Sequence, residues 1–219
     1  MGGISFILNN RQVSASEGAT ILEAARENGV EIPTLCYIRD QLPTGACRLC
    51  VVEVEKSRTL VASCHTPVIN GMVIQTHSPK VLQIRKTLVE LMLASHPDSC
   101  LVCDKANMCE LRKIAADLGI GLSSIRARKH FYPVESDNAY IVRDLSKCIL
   151  CRRCVVACRS INGKRLFAVA YRGFNSKVIH GLDNPLEEDS CADCDTCISV
   201  CPTGALSKPR RKGISRTGA

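Results

Sequence analysis

Tryptophan is absent from the 219 residues, and with only four Phe and four Tyr, bulky rings cannot fill the interior of a chain that is 46% hydrophobic. No apolar run approaches the roughly 18 residues a membrane-spanning helix needs; the stretch from Leu88 to Ala94 is interrupted by Glu90. A transmembrane helix is thereby excluded. Met1 to Arg11 has neither a basic leader nor an apolar segment ending in a small-residue cleavage site, and Phe6 stands where myristoylation wants Ser or Thr. The expectation is a cytoplasmic protein. Nucleotide motifs are missing as well: Gly119-Ile-Gly121 lacks a third glycine and a preceding strand, and there is no Walker or flavin signature.

What the chain has instead is cysteine, fifteen residues of it. In a reducing compartment these are thiolates kept for metal or catalysis rather than a disulfide framework, and the odd count agrees. Adding His96, the one histidine at ligand spacing, makes sixteen donors, or four sets of four. The formal charge of +8 counts cysteine as neutral. Fifteen thiolates and four oxidised cores would bring the loaded protein to about +1, so net charge alone does not argue for nucleic-acid binding.

Local patterning gives the scaffold. Apolar and polar residues alternate through Ile4, Phe6, Leu8, Val13 and Ala15 around Asn9-Asn10, which predicts a hairpin. Thr20 caps a helix ended by Asn28-Gly29, and Val51–Val54, Thr59–Ala62 and Met72–Thr76 read as short strands. Ser78-Pro79 opens a longer helix with apolar residues at Val81, Ile84, Leu88 and Leu91, ending at His96-Pro97. A further helix is expected around Glu110–Leu118, then a basic connector through Arg126, Arg128 and Lys129 and a module boundary near Ser136.

The strongest metal signal is a repeat. Cys148, Cys151, Cys154 and Cys158 have the spacing C-x2-C-x2-C-x3-C, and so do Cys191, Cys194, Cys197 and Cys201, followed by Pro202. Three close thiolates wrap three corners of a cubane and the fourth reaches to the other cluster. This assigns Cys148, Cys151, Cys154 and Cys201 to one [4Fe-4S] cluster, and Cys191, Cys194, Cys197 and Cys158 to its twin. Zinc knuckles would lack the third cysteine of each run. Arg159 follows Cys158 where such runs carry proline, which leaves the local turn open.

A second set, Cys36, Cys47, Cys50 and Cys64, has Gly45 and Ala46 just before its paired cysteines, small residues that let backbone amides approach cluster sulfides. It fits a [2Fe-2S] cluster on a β-grasp scaffold, with structural cysteine or zinc as the competing readings. The third set is His96, Cys100, Cys103 and Cys109. Its three thiolates need a fourth donor, and His96 is placed to supply it; a [3Fe-4S] or zinc site, with His96 as a helix cap, is the alternative. Lys105, Arg152 and Arg153, beside the ligands, are expected in solvent, with raising the potentials of nearby clusters as the other reading. His65, His77, His130 and His180 are expected to be structural or on the surface.

In this order the sets resemble one family: the N-terminal iron–sulfur region shared by the large iron–sulfur subunit of NADH:quinone oxidoreductase, the N-terminal half of [FeFe] hydrogenases, and the small iron–sulfur subunits of NAD-linked hydrogenases and formate dehydrogenases. The resemblance covers residues 3 to about 207 and includes all sixteen ligands. It implies an α+β chain: a β-grasp [2Fe-2S] ferredoxin domain (1–77), a helical [4Fe-4S] module with one histidine and three cysteine ligands (78–136), a bacterial-ferredoxin-like domain with two [4Fe-4S] clusters (137–207), and a basic tail (208–219). It further implies an electron-relay subunit of a hetero-oligomer, between a flavoprotein that oxidises NAD(P)H and a hydrogenase or formate dehydrogenase catalytic subunit. With every cysteine committed, none is left for an H-cluster or a nickel site. A stand-alone polyferredoxin-like carrier and a zinc-stabilised binding module with a basic tail are the other readings.

Overall fold

A computed structural model describes residues 3–186, 191–192 and 194–209. The predicted hairpin is β1 (Ile4–Leu8) and β2 (Arg11–Ala15), in antiparallel register with Ile4 opposite Ala15. Asn9 and Asn10 both take positive φ, 49° and 67°, as a two-residue turn matching strand twist requires. Helix α1 (Ile21–Glu27) starts with a complete capping box: Thr20 accepts from the Glu23 amide while Glu23 accepts from the Thr20 amide. The strands β3 (Val51–Val54), β4 (Val61–Ala62) and β5 (Val73–Gln75) join the hairpin in a five-stranded sheet of order β2-β1-β5-β3-β4. Its β1–β5 contact is parallel and its other pairs are antiparallel. Phe6, Leu8, Val52 and Ile74 from the sheet bury against Ile21, Leu22 and Ala25 of α1.

Helix α2 (Pro79–Ser95) carries the expected Ser78 cap and N1 proline. Its inward face differs from the apolar stripe. The buried positions are Val81, Arg85, Val89 and Ala94, whereas Ile84 and Leu91 are exposed. The reason is polar. The chain entering β3 presents carbonyls that need a donor, and Arg85 supplies it through Nε to Leu49 O (3.0 Å) and Nη2 to Val51 O (2.8 Å).

Helix α3 (Glu110–Asp117) lies against α2, and a single core holds Val89, Leu111, Ile114 and Ala115 together with Leu35, Cys36, Cys47 and Leu49 from before α2 and Cys151 from beyond α3. Segments far apart in sequence therefore interlock. The C-terminal part pairs β6 (Val142–Arg143) with β9 (Leu206–Ser207), and β7 (Phe167–Ala170) with β8 (Lys177–His180), around the short helices α4 (Arg153–Val156) and α5 (Thr196–Ser199). The connector through Arg126 to Lys129 has no regular structure, as expected. In the tail, Lys208 pairs with Asp195 at 2.8 Å, and the remaining basic residues from 210 onward lie outside the described residues.

Candidate metal centres

The repeat folds by wrapping. Between Cys148 and Cys154, Leu150 and Arg152 adopt left-handed φ of 55° and 64°, which non-glycine residues take only under local compulsion. That curl closes the loop around a small cavity lined by Cys148, Cys151, Cys154 and Cys201. A second cavity is lined by Cys158, Cys191, Cys194 and Cys197. The fourth cysteine of each run is thus beside the first three of the other, in the crossed arrangement read from spacing. The turn left open at Arg159 is a single π turn, Ala157–Ile161, continuing α4, with the Cys158 carbonyl accepting from the Lys164 amide at 2.9 Å.

Donors point at these sulfurs. Leu150 N–H reaches Cys148 Sγ (3.4 Å), Leu166 N–H reaches Cys158 Sγ (3.3 Å), and Asn162 Nδ2 reaches Cys194 Sγ at 2.8 Å. Asn162 carried no signal in the spacing pattern, because it lies in neither run. Replacing it with Ala should lower the reduction potential of the centre at Cys194 by on the order of 40 mV, the equivalent of about 1 kcal/mol per electron, measured by redox titration.

The third set also converges, on a cavity lined by His96, Cys100, Cys103, Cys109 and Gly204. His96 Nδ1 lies 3.1 Å from the Pro97 carbonyl, and Nε2 is buried with no hydrogen-bond partner. A neutral ring donating Nδ1–H to that carbonyl leaves the Nε2 lone pair free, as in metal-ligating histidines. Burial lowers the His96 pKa, which keeps the ring neutral. Gly204 is required here. A Cβ at that position would sit 2.7 Å from Cys103 Sγ, closer than the two atoms can pack, while only touching Lys147 and Lys105. Gly204→Ala should therefore lose about four iron atoms per chain by displacing Cys103, which iron analysis of the purified variant would show.

Cys36, Cys47, Cys50 and Cys64 are all buried in the first module. Cys50 and Cys64 sulfurs are 3.4 Å apart, and the Leu35 amide donates to Cys47 Sγ at 3.4 Å. Proton sharing with Cys47 lowers the Cys36 thiol, assisted by the Thr44 hydroxyl, and sharing with Cys64 lowers Cys50, assisted by Ser63. Cys47 and Cys64 are pushed up correspondingly. The Thr44 and Ser63 hydroxyls are otherwise orphaned and buried. Elsewhere burial raises the thiols, Cys148 to about 11 and Cys151 and Cys197 to about 12, so iron must displace protons to bind.

Among the described residues no group of three or more His, Cys, Asp or Glu is placed to hold a single metal ion. The donors ring cavities instead of meeting at a point, and the orphaned Nε2 and hydroxyls face sulfur-lined sites, so the residues fit iron–sulfur clusters. Two other expectations change. Arg153 is buried, while Arg152 is exposed as expected. His65 is exposed, yet its Nδ1 lies 3.1 Å from Cys64 Sγ, within the ligand set's hydrogen-bonding environment.

Three family descriptions match in sequence order. A 2Fe-2S iron-sulfur cluster binding domain covers residues 3–79, an NADH-ubiquinone oxidoreductase-G iron-sulfur binding region covers 85–123, and a 4Fe-4S dicluster domain covers 147–205. The chain is 39% identical over 211 residues to the NADP-reducing hydrogenase subunit HndD of Solidesulfovibrio fructosivorans, covering 94% of this chain and 36% of the relative. It is 37% identical over 208 residues to the NADPH-Fe(3+) oxidoreductase subunit alpha of Geobacter sulfurreducens (94% and 24%). It is 34% identical over 205 residues to a G-type NADH-quinone oxidoreductase subunit of Rhizobium meliloti (93% and 24%). The chain thus spans between about a quarter and about a third of these relatives' length. A solved NAD+-reducing [NiFe]-hydrogenase in the H2-reduced state contains a chain that superposes with a TM-score of 0.81 at 27% identity, covering 99% of this chain and 90% of that one. No helix among the described residues is long and apolar enough to cross a membrane. With a 2Fe-2S domain followed by 4Fe-4S domains, the chain is an iron–sulfur protein similar, over 93–94% of its length, to a G-type subunit of NADH-quinone oxidoreductase and to the NADP-reducing hydrogenase subunit.

Proposed function

We propose that this chain is the electron-relay subunit of a cytoplasmic, multi-subunit NAD(P)-linked oxidoreductase. It stands between a flavoprotein that oxidises NAD(P)H and a catalytic subunit of the hydrogenase or formate dehydrogenase class. The ligand sets are Cys36, Cys47, Cys50 and Cys64 for one [2Fe-2S] cluster; His96, Cys100, Cys103 and Cys109 for one [4Fe-4S]; and the two crossed sets Cys148, Cys151, Cys154, Cys201 and Cys191, Cys194, Cys197, Cys158 for two more. Residues 1–77 form the β-grasp module, 78–136 the module of the histidine-ligated cluster, 137–207 the two-cluster module and 208–219 the tail.

When bound, the clusters supply one-electron storage and transfer. The protein does the rest. Its thiolates and the neutral His96 ring set the charge of each site, and amides and the Asn162 carboxamide direct hydrogen bonds at sulfur. One observation carries this reading: the donors line three separate cavities, four to each, and two of those cavities combine cysteines from segments far apart in sequence.

Anaerobic native purification tests it, with iron, zinc and flavin quantified and co-eluting chains identified. About 14 iron atoms per chain together with a flavoprotein is the expected result. Stoichiometric zinc without iron would overturn it in favour of a binding module, and full iron on a partnerless chain would favour a free carrier.

A further inference from the structure

Arg153 lies between two cysteines of one cavity, and its side chain reaches three other ligand-bearing segments. Nη1 donates to the Glu110 carboxylate at 2.6 Å and to the Val200 carbonyl at 3.4 Å, and Nη2 donates to the Thr34 carbonyl at 3.5 Å. Glu110 directly follows Cys109, Val200 directly precedes Cys201, and Thr34 is two residues before Cys36. These acceptors are 43, 47 and 119 residues away in sequence. One guanidinium therefore ties together segments belonging to the first, second and third donor sets.

The energetics argue against simple stabilisation. Arg153 is 8% exposed, its Nε is buried without a partner, and its one carboxylate partner among the described residues, Glu110, has a side chain 43% exposed. Burying a guanidinium at such a site carries a desolvation cost that a single half-exposed ion pair offsets incompletely. What arginine offers over lysine or an apolar side chain is a rigid planar fork that can bond several acceptors in fixed directions. The neighbouring left-handed residue Arg152, with φ of 64°, is held in a conformation that turns Arg153 inward while Arg152 stays in solvent.

We infer that Arg153 is a positioning residue that fixes the spacing of the [2Fe-2S], histidine-ligated and Cys148-containing sites relative to one another, and so sets the coupling between them without determining whether any one site is filled. This rests on the ligand assignment proposed above.

The test compares the full-length, anaerobically loaded protein with Arg153→Lys and Glu110→Gln. Iron content and paramagnetic resonance of the unsubstituted chain come first, since a shortfall there refutes the ligand assignment and not the role of Arg153. With that established, Arg153→Lys should keep the unsubstituted iron content. Amide hydrogen exchange should rise about tenfold or more in the segments around Thr34, Glu110 and Val200 together, and the magnetic interaction between the reduced [2Fe-2S] centre and its neighbours should be lost or broadened. Faster exchange confined to residues 148–156, or unchanged exchange with unchanged interaction, overturns the inference. Loss of iron in Arg153→Lys would also overturn the inference, and Glu110→Gln is a second test of it. It exchanges the charge-assisted contact for a weaker neutral one at the guanidinium's shortest hydrogen bond, so exchange should rise at the Thr34 and Val200 segments as well as in α3; a rise restricted to α3 overturns the inference.

Discussion

Replacing His96 with Ala should lower iron from about 14 to about 10 atoms per chain and remove one [4Fe-4S] resonance, leaving the [2Fe-2S] signal intact. The helix end does not depend on the ring, because the cap is made by the His96 backbone amide donating to the Leu93 carbonyl, which Ala retains. What Ala removes is the only imidazole lining the cavity with Cys100, Cys103 and Cys109, a ring whose Nε2 has no other partner. His96→Cys is the informative companion. A fourth thiolate should restore the iron but make the site about one charge more negative and its potential lower. Unchanged iron and unchanged spectra in His96→Ala would remove the residue from the ligand set and return it to the role of a helix terminus.

Arg85→Met should give the largest loss of stability among substitutions away from the donor sets, about 2–4 kcal/mol, because the Leu49 and Val51 carbonyls lose their guanidinium donor inside the core. Denaturant unfolding of the metal-loaded protein would measure it. The same change should lower the [2Fe-2S] potential by on the order of 50 mV, since it removes a positive charge that favours the reduced, more negative state. Arg85 is close enough to the Cys50 thiolate to be raised by it, although burial outweighs that effect and holds the guanidinium at about 10. Arg85→Lys separates the two consequences. It keeps the charge but loses the fork, so stability should fall with the potential nearly unmoved. A Met variant with full iron and an unshifted potential would refute the electrostatic half of the prediction.

Cysteine spacing made the donor sets legible because ligand geometry is imposed locally: three thiolates within seven residues can only wrap one site. The crossing of Cys158 and Cys201 was readable for the same reason, each being carried by a short helix away from its own loop. Hairpin, caps and helix boundaries followed from Asn9-Asn10, Thr20, Ser78 and Pro79, which act on their immediate neighbours. What spacing did not disclose were partners chosen by tertiary contact. Asn162 belongs to no motif and reaches a thiolate only because the π turn brings it there. Arg85 and Arg153 look like ordinary exposed cations until unsatisfied carbonyls from remote loops are placed against them, and the predicted α2 stripe was misaligned for that reason. Gly204 resembles a turn residue and reveals its purpose only through the sulfur beside it.

The crossed lining of the two C-terminal cavities also bears on biogenesis. As the chain leaves the ribosome, Cys148, Cys151 and Cys154 emerge well before Cys201, the residue that completes their ring. Cys158 in turn must wait for Cys191, Cys194 and Cys197. Neither four-sulfur lining exists on the nascent polypeptide until the last of these segments has been made, so the cluster assignment proposed above defers loading of both sites until residue 201 has been synthesised.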